Sequence, residues 1–397
     1  MSRPAAVVPA IGTQSSVVAV RSLSRAGFAP ILATDGQRSP ALSSNHRAEV
    51  VEVPNPAESM REYADALVDL AGRDEVVTVL PLREADAYAL SARRDALSAH
   101  LDPVWPDFDT LRGAQDRQTL LSLAAEQGIP VPETRPLTDW PADDGPLVVK
   151  PRYSIVVDDD EGPATEPDVR LLEPGERPSI ASVVEEMGHV PSVQEFVPSG
   201  GEFGFFALMD RGEPVATFQH RRVRSFSYSG GASVYRKAVD RPELREYGTD
   251  LLSALDWHGP AMVEFRRDSR DGSFKLMEIN PRFWGSLALP VHAGVDFPRH
   301  YAALAAGRTP DGGPPEYRCG VGSHLLTGEL AYLYNVLRAD GHGDPPPFGR
   351  EALAVASSLY RNPNFDLLSV DDPLPFVADG FGMLATLGSR IAETVRR

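Results

Sequence analysis

The chain has 397 residues, 39 of them basic and 56 acidic, for a formal net charge of −17. So acidic a surface repels phosphate backbones and anionic lipid headgroups, which argues against a nucleic-acid or membrane-surface partner. No apolar run approaches the roughly 20 residues that span a bilayer. Among the basic residues only Lys150, Lys237 and Lys275 are lysine; the rest are arginine. The single cysteine, Cys319, cannot close an internal disulfide, which fits a reducing cytoplasm, and it reads as a buried structural thiol.

The N-terminal stretch reads as strand (AAVVPAI), loop (GTQSS), helix (VVAVRSLSRAGF) and strand (APILATD), with Gly27 at a helix C-cap. A helix over AESMREYADALVDLAG, a strand VVTVLPL and a helix from Glu84 to about Leu97 follow. This alternation predicts a small doubly wound sheet over residues 1–105. A dinucleotide fingerprint would need three spaced glycines in the first βα turn, and only Gly12 stands there. A nicotinamide site is therefore not expected, and a structural or substrate-contacting role suits that turn better.

Residues 106–135 read as a helical segment that Gly128 and Pro130 terminate. Next come strand PLVVKP, an acidic loop at 158–161, strand DVRLL, a helix near 179–188 and strand SVQEFV. GEFGFFALM and EPVATFQHRR read as antiparallel strands and YGTDLLSALDW as a helix. AMVEFRRD and SFKLMEIN form a hairpin across Ser269-Arg270-Asp271-Gly272. Beyond about residue 310 the chain is punctuated by Gly and Pro, with helices near 327–338 and 380–396. The last carries an apolar stripe, Phe381, Leu384, Leu387 and Ile391, suited to the core or to a homodimer contact.

Three features carry chemistry. Glu278 and Asn280 are two apart, so they share one face of their strand, and hairpin pairing can lay Glu264 across from them. Two carboxylates and an amide oxygen are hard ligands suited to Mg²⁺, with Mn²⁺ as an alternative; the same residues would also suit a solvated sheet face. Lys150 ends an apolar strand in a chain that avoids lysine, where an ammonium serves phosphate oxygens or simply reaches solvent. Glu195-Phe196-Val197 precedes the turn Pro198-Ser199-Gly200-Gly201-Glu202. That turn leaves backbone groups free for a base edge, and Glu202 could accept from ribose hydroxyls.

In this order, Lys150, Glu195-Phe196-Val197, Glu202, Glu264 and Glu278-Ile279-Asn280-Pro281-Arg282 resemble the ATP-grasp superfamily over about residues 5–310. Within it, EINPRFWGS at 278–286 is similar to the carbamoyl-phosphate-synthase-like carboxylate–amine ligases. The resemblance implies an α/β and α+β architecture. A Rossmann-like pre-ATP-grasp domain (1–105) would precede an ATP-grasp domain (106–310, with a lid subdomain at 146–198) and a partly helical extension (311–397). It implies that Lys150 meets the α- and β-phosphates, that Glu195 to Val197 bind adenine through the backbone, and that Glu202 holds the ribose. Glu264, Glu278 and Asn280 would bind Mg²⁺, and Arg282 would meet the transferred phosphoryl group. The implied reaction activates a carboxylate as an acyl phosphate for attack by an amine, thiol or similar nucleophile.

Two departures from the resembled pattern stand out. Arg117 replaces an expected lysine as a second phosphate contact, keeping charge but not geometry. A glycine-rich flap is expected after Lys150, yet residues 158–161 are four consecutive acids, best read as a solvated loop pointing away. These departures keep open an ATP-binding regulatory or scaffold protein with weakened catalysis. Finally, His220, Arg221, Arg222 and Arg224 beside the flexible Ser229-Gly230-Gly231-Ala232-Ser233 loop suggest an anionic partner such as a substrate carboxylate or phosphate.

Overall fold

Nearly every residue of the first strand is apolar and fully buried, as expected of a parallel strand covered on both faces. The computed structural model describes residues 3–139, 146–172, 176, 179–308, 313–339, 341 and 344–396. In it Ala5–Pro9, Ala29–Thr34, Glu49–Glu52 and Val76–Val79 form a parallel sheet, with Ala5–Pro9 between Ala29–Thr34 and Val76–Val79. The strand Glu49–Glu52 was not anticipated, because its sequence EVVE is an exposed edge with no apolar run to read. Helices Gln14–Arg25, Met60–Ala71 and Glu84–Ala92 accompany this sheet. Ser59 caps the second of them by accepting from the Glu62 N–H.

The helical segment after residue 106 is two helices, Phe108–Gln115 and Arg117–Glu126. Asp116 breaks it: its backbone is extended and its carboxylate accepts from the N–H groups of Gln118 and Thr119, a strong N-cap. The break puts Arg117 in the first turn of the second helix.

A small antiparallel sheet runs in the order Thr134–Pro136, Ser192–Glu195, Leu147–Lys150, Arg170–Leu172, and helix Ile180–Met187 closes its core with Val183 and Met187. A six-stranded antiparallel sheet follows in the order Phe274–Asn280, Gly259–Asp268, Ser199–Asp210, Glu213–Ser227, Gly230–Ala238, Gly322–His324. One face packs Phe205, Val263 and Ile279 on Leu251 of helix Pro242–Ala254 and Leu121 of helix Arg117–Glu126. The other packs Phe206, Phe218 and Trp284 against the first unit and, beyond them, lies open as the floor of a cleft. The expected loop at 229–233 is a hairpin turn instead. Gly230 and Gly231, at φ of 135° and 97°, open a strand that pairs back on residues 220–227, which the glycine-rich sequence concealed.

Past residue 313 come helices Leu326–Arg338, Phe348–Arg361 and Leu374–Arg396. Between the last two, the segment 362–373 doubles back across the molecule. Its Asp372 accepts from Arg21, Ser44 and the Asn45 N–H of the first unit, and its Asp366 pairs with buried Arg236 of the large sheet. Two expectations about this region need correcting. Phe381 and Leu384 are exposed, so they do not face the core, while the side chains of Leu387 and Ile391 lie outside the described set. Cys319 is exposed because it sits in a turn leading into strand Gly322–His324. Among the described residues no helix is long and apolar enough to cross a membrane.

Candidate active site

The large sheet builds the cleft floor by register. His220 pairs with Gly204, Gly204 with Glu264, and Glu264 with Glu278, so one row across four strands carries an imidazole and two facing carboxylates. A second row carries Arg222 opposite Arg236 and Glu202 opposite Arg266. Period-2 alternation sends all of these side chains to the same face, above which a cleft of about 1020 Å³ opens. Its wall includes Lys150, Arg117, the Glu195-Phe196-Val197 segment, the Gly230–Gly231 turn and Arg282. The first unit contributes Gly12, Thr13 and Gln14, the turn that held a single glycine.

The two carboxylates are not equivalent. Burial and the facing Glu278 carboxylate push the Glu264 carboxyl up to about 7, against a smaller opposing pull from Arg222. Burial acts the same way on Glu278, but the Arg117 guanidinium and the Lys150 ammonium outweigh it and hold that carboxyl below its ordinary value. Arg117 donates to Glu278 Oε2 at 2.8 Å and to the Pro151 carbonyl at 2.5 Å. Glu278 Oε1 accepts from the Asn280 amide at 3.4 Å, and Asn280 Oδ1 accepts from Arg282 at 3.0 Å. Burial lowers Lys150 to about 8, opposed by Glu278. No described carboxylate lies within ion-pair distance of its ammonium, which leaves that charge directed into the cleft.

Other expected residues sit differently from their reading in sequence. Glu195 to Val197 are not free along their length: the Glu195 N–H donates to Glu133, the Phe196 N–H donates to Pro146, and the Val197 carbonyl accepts from Arg266 at 3.4 Å. Of this segment's N–H groups, only that of Val197 has no partner among the described residues. The Glu195 carboxylate is taken by Lys275 at 2.5 Å and Arg270 at 3.2 Å. Glu202 accepts from Arg222 at 2.6 Å and Arg266 at 2.7 Å, so its oxygens are engaged before any ligand arrives. Arg224 leaves the cleft altogether. It forms a bidentate pair with Glu329 at 2.8 Å and lies over the Tyr235 ring, because a register shift between Arg222 and Arg224 turns it toward helix Leu326–Arg338.

Several residues of the site were not anticipated. Glu84, buried at the start of its helix, accepts from Arg282 at 3.1 Å, Gln115 at 3.1 Å and Ser154 at 3.1 Å, tying the first unit to the cleft. Nothing in its local sequence marks it. Arg266 stands two residues from Glu264, and the alternation that selected Glu264 could have selected it too. Arg236 lies in strand Gly230–Ala238, which the sequence did not announce as a strand. The acidic loop turns away from the cleft onto the first unit. Glu161 takes a bidentate pair from Arg93, the Asp160 carbonyl accepts from Arg61, and Ile155 is buried in the first unit's core.

A model of the family described as ATP-grasp in the biosynthetic pathway with Ter operon matches residues 199–323, which span most of the large sheet. No curated protein sequence matches the chain. Among solved structures, Staphylococcus aureus N5-carboxyaminoimidazole synthetase is similar at 13% identity and a TM-score of 0.60, over 86% of this chain and 87% of that one. Bacillus licheniformis L-amino acid ligase is similar at 19% identity and 0.55, over 77% and 75%. Rhizobium etli pyruvate carboxylase is similar at 16% identity and 0.59 over 81% of this chain, which spans only 30% of that enzyme's length. At such identities the likeness is one of fold.

Proposed function

We propose that the chain is an ATP-grasp protein and acts as an ATP- and Mg²⁺-dependent ligase that activates a carboxylate as an acyl phosphate. The observation that carries this reading is the Glu264–Glu278 pair, facing across strands on the floor of a cleft whose wall supplies Lys150, Arg117 and Arg282. Paired carboxylates among converging cations are the arrangement needed to bring a polyanionic nucleotide and an anionic acid together.

The donor set fits a magnesium ion. Mg²⁺ is typically held by one or two carboxylates plus substrate phosphates, and Glu264 and Glu278 supply the carboxylates. Asn280 would join them only by releasing Arg282 from its amide oxygen. Bound there, Mg²⁺ would neutralise charge developing on the phosphate oxygens. Lys150 and Arg117 then hold nucleotide phosphates, and the Val197 N–H with the apolar wall of Phe196 and Leu171 takes the base. Arg282, braced by Glu84 and Asn280, orients the reacting acid. A carboxylate oxygen attacks the γ-phosphorus, the bond to the β-phosphate oxygen breaks, and ADP leaves. An amine or thiol attacks the acyl carbon, the phosphate departs, and the nucleophile's proton is lost to solvent or a base.

An ADP-release assay over a broad panel of carboxylic acids and amines tests this. Release should require Mg²⁺, an acid and a nucleophile, and Glu278→Gln should lower kcat by about a hundredfold or more. The Arg117–Glu278 ion pair and the occupied Glu202 oxygens favour the regulatory alternative. Tight ATP binding with no phosphate released across the whole panel would establish it instead.

A further inference from the structure

The end of the cleft away from Glu278 has its own chemistry. Arg236 is 1% exposed and lines the cleft, yet its Nε has no hydrogen-bond partner among the described residues. The same holds for Nδ1 of His220 and Nε1 of Trp284, both buried and both lining this end. Facing them are Thr13 and Gln14, where helix Gln14–Arg25 begins with no side chain capping its first N–H groups. Four groups able to donate thus line this end, and among the described residues the only carboxylate hydrogen-bonded to any of these side chains is Asp366. Asp366 itself lies behind Arg236, accepting from it at 2.7 Å and from Ser323 at 2.5 Å.

Arg236 and Glu278 sit on strands four spacings apart in the sheet, about 19 Å at ordinary strand separation. Arg236 therefore serves a different part of a ligand from Arg282, which bonds Asn280 beside Glu278. We propose that this closed end is a subsite for a second, non-reacting anionic group of the substrate, a carboxylate or phosphate oxyanion, with Arg236 as its specificity-determining residue. Asp366, brought by the C-terminal extension, is the positioning residue that holds the guanidinium in place. The proposal deepens the ligase reading of the same cleft and rests on it. It also gives the extension a role: one segment binds Arg21 of the first unit through Asp372 and holds Arg236 of the large sheet through Asp366.

The test titrates matched probes calorimetrically at fixed ionic strength, with and without MgADP: glutarate against butyrate, and glycerol 3-phosphate against glycerol. In the native chain the member carrying the additional anionic group should bind tenfold or more tightly in at least one pair, a difference of about 1.4 kcal/mol. Which pair shows the preference distinguishes carboxylate from phosphate. Arg236→Met should cut the preference below threefold. Because that change strands Asp366 without its partner, the double variant Arg236→Met/Asp366→Asn removes the buried pair together and should show the same loss in a folded protein. Asp366→Asn alone should give an intermediate preference, and an unchanged one would remove Asp366 from its positioning role. No preference in the native chain for either pair, or an undiminished one in the double variant, overturns the proposal. ATP binding and ADP release by the native chain are measured separately. If they fail while the anion preference holds, the ligase reading is wrong and the subsite stands.

Discussion

The raised Glu264 carboxyl gives the unliganded protein a contribution to stability that is lost as pH rises. In the unfolded chain this group titrates near 4.5, and in the fold at about 7, so between those values the folded state holds the extra proton. The contribution of Glu264 to stability therefore declines as pH rises from 4.5 to 7 and levels off above. Buried histidines such as His220, held below their ordinary value, contribute in the opposite sense, so the effect is read as the difference between the native chain and a Glu264 variant. At about 1.4 kcal/mol per pKa unit, the loss between pH 5.5 and pH 8 comes to about 2 kcal/mol. Glu264→Gln keeps the shape, cannot ionise, and should remove this loss. Thermal melts in a metal chelator would then show the variant gaining on the native chain by a few degrees at pH 8 relative to pH 5.5. Adding Mg²⁺ at pH 8 should raise the native melting temperature and leave the variant largely unmoved, since it offers one carboxylate fewer. A difference between the two proteins that stays flat with pH, or a variant that falls further behind at pH 8, would refute the account of a buried carboxyl facing Glu278.

Lys150→Ala should weaken ATP binding tenfold or more by calorimetry, and an unchanged affinity would take that ammonium out of the nucleotide site. Asp372→Ala strands the guanidinium of Arg21 in a buried position and removes the acceptor of Ser44. It should cost about 3–5 kcal/mol and make the segment after residue 361 an early target of limited proteolysis. Gly248→Ala places a methyl group 2.2 Å from the Phe205 ring, so a change that ordinarily favours a helix should here lower the melting temperature, with a loss of about 1–3 kcal/mol.

Legibility of the site in the sequence followed the range of the physics involved. Glu264, Glu278 and Asn280 could be placed on one face because strand alternation is strictly local and the hairpin turn brings their strands together within a few residues. Helices Gln14–Arg25 and Met60–Ala71 announced themselves by periodicity for the same reason. What escaped depends on partners far along the chain. Glu84 meets Arg282 across 198 residues and Arg224 meets Glu329 across 105, and no window of sequence contains either pair. The break at Asp116 was legible in retrospect, since an aspartate inside a helical run offers its carboxylate as a cap. Strand Gly230–Ala238 was not, because its opening glycines carry no β signal and its pairing supplies the order.

Distance also resolves the conflict between a net charge of −17 and a cleft suited to polyanions. Exposed charges beyond a Debye length, about 8 Å at physiological salt, are largely screened, so the surface total has little say inside the cleft. There Lys150, Arg117, Arg222, Arg236, Arg266 and Arg282 stand among Glu195, Glu202, Glu264 and Glu278, and two of those carboxylates are the ones that would accept a cation. The acidic loop after Lys150 adds nothing to that balance while it stays docked on the first unit. Its Glu161 is held by Arg93 through two hydrogen bonds of 2.7 and 2.5 Å, which keeps that carboxyl below its ordinary range. Arg93 and Glu161 are partly open to solvent, so the pair contributes about 1 kcal/mol or less and sets only a low barrier to release. What keeps the loop off the phosphates is therefore less that ion pair than Ile155, buried in the first unit's core just ahead of the acids. An acidic run is compatible with the cleft because a hydrophobic anchor, not charge, decides where it lies.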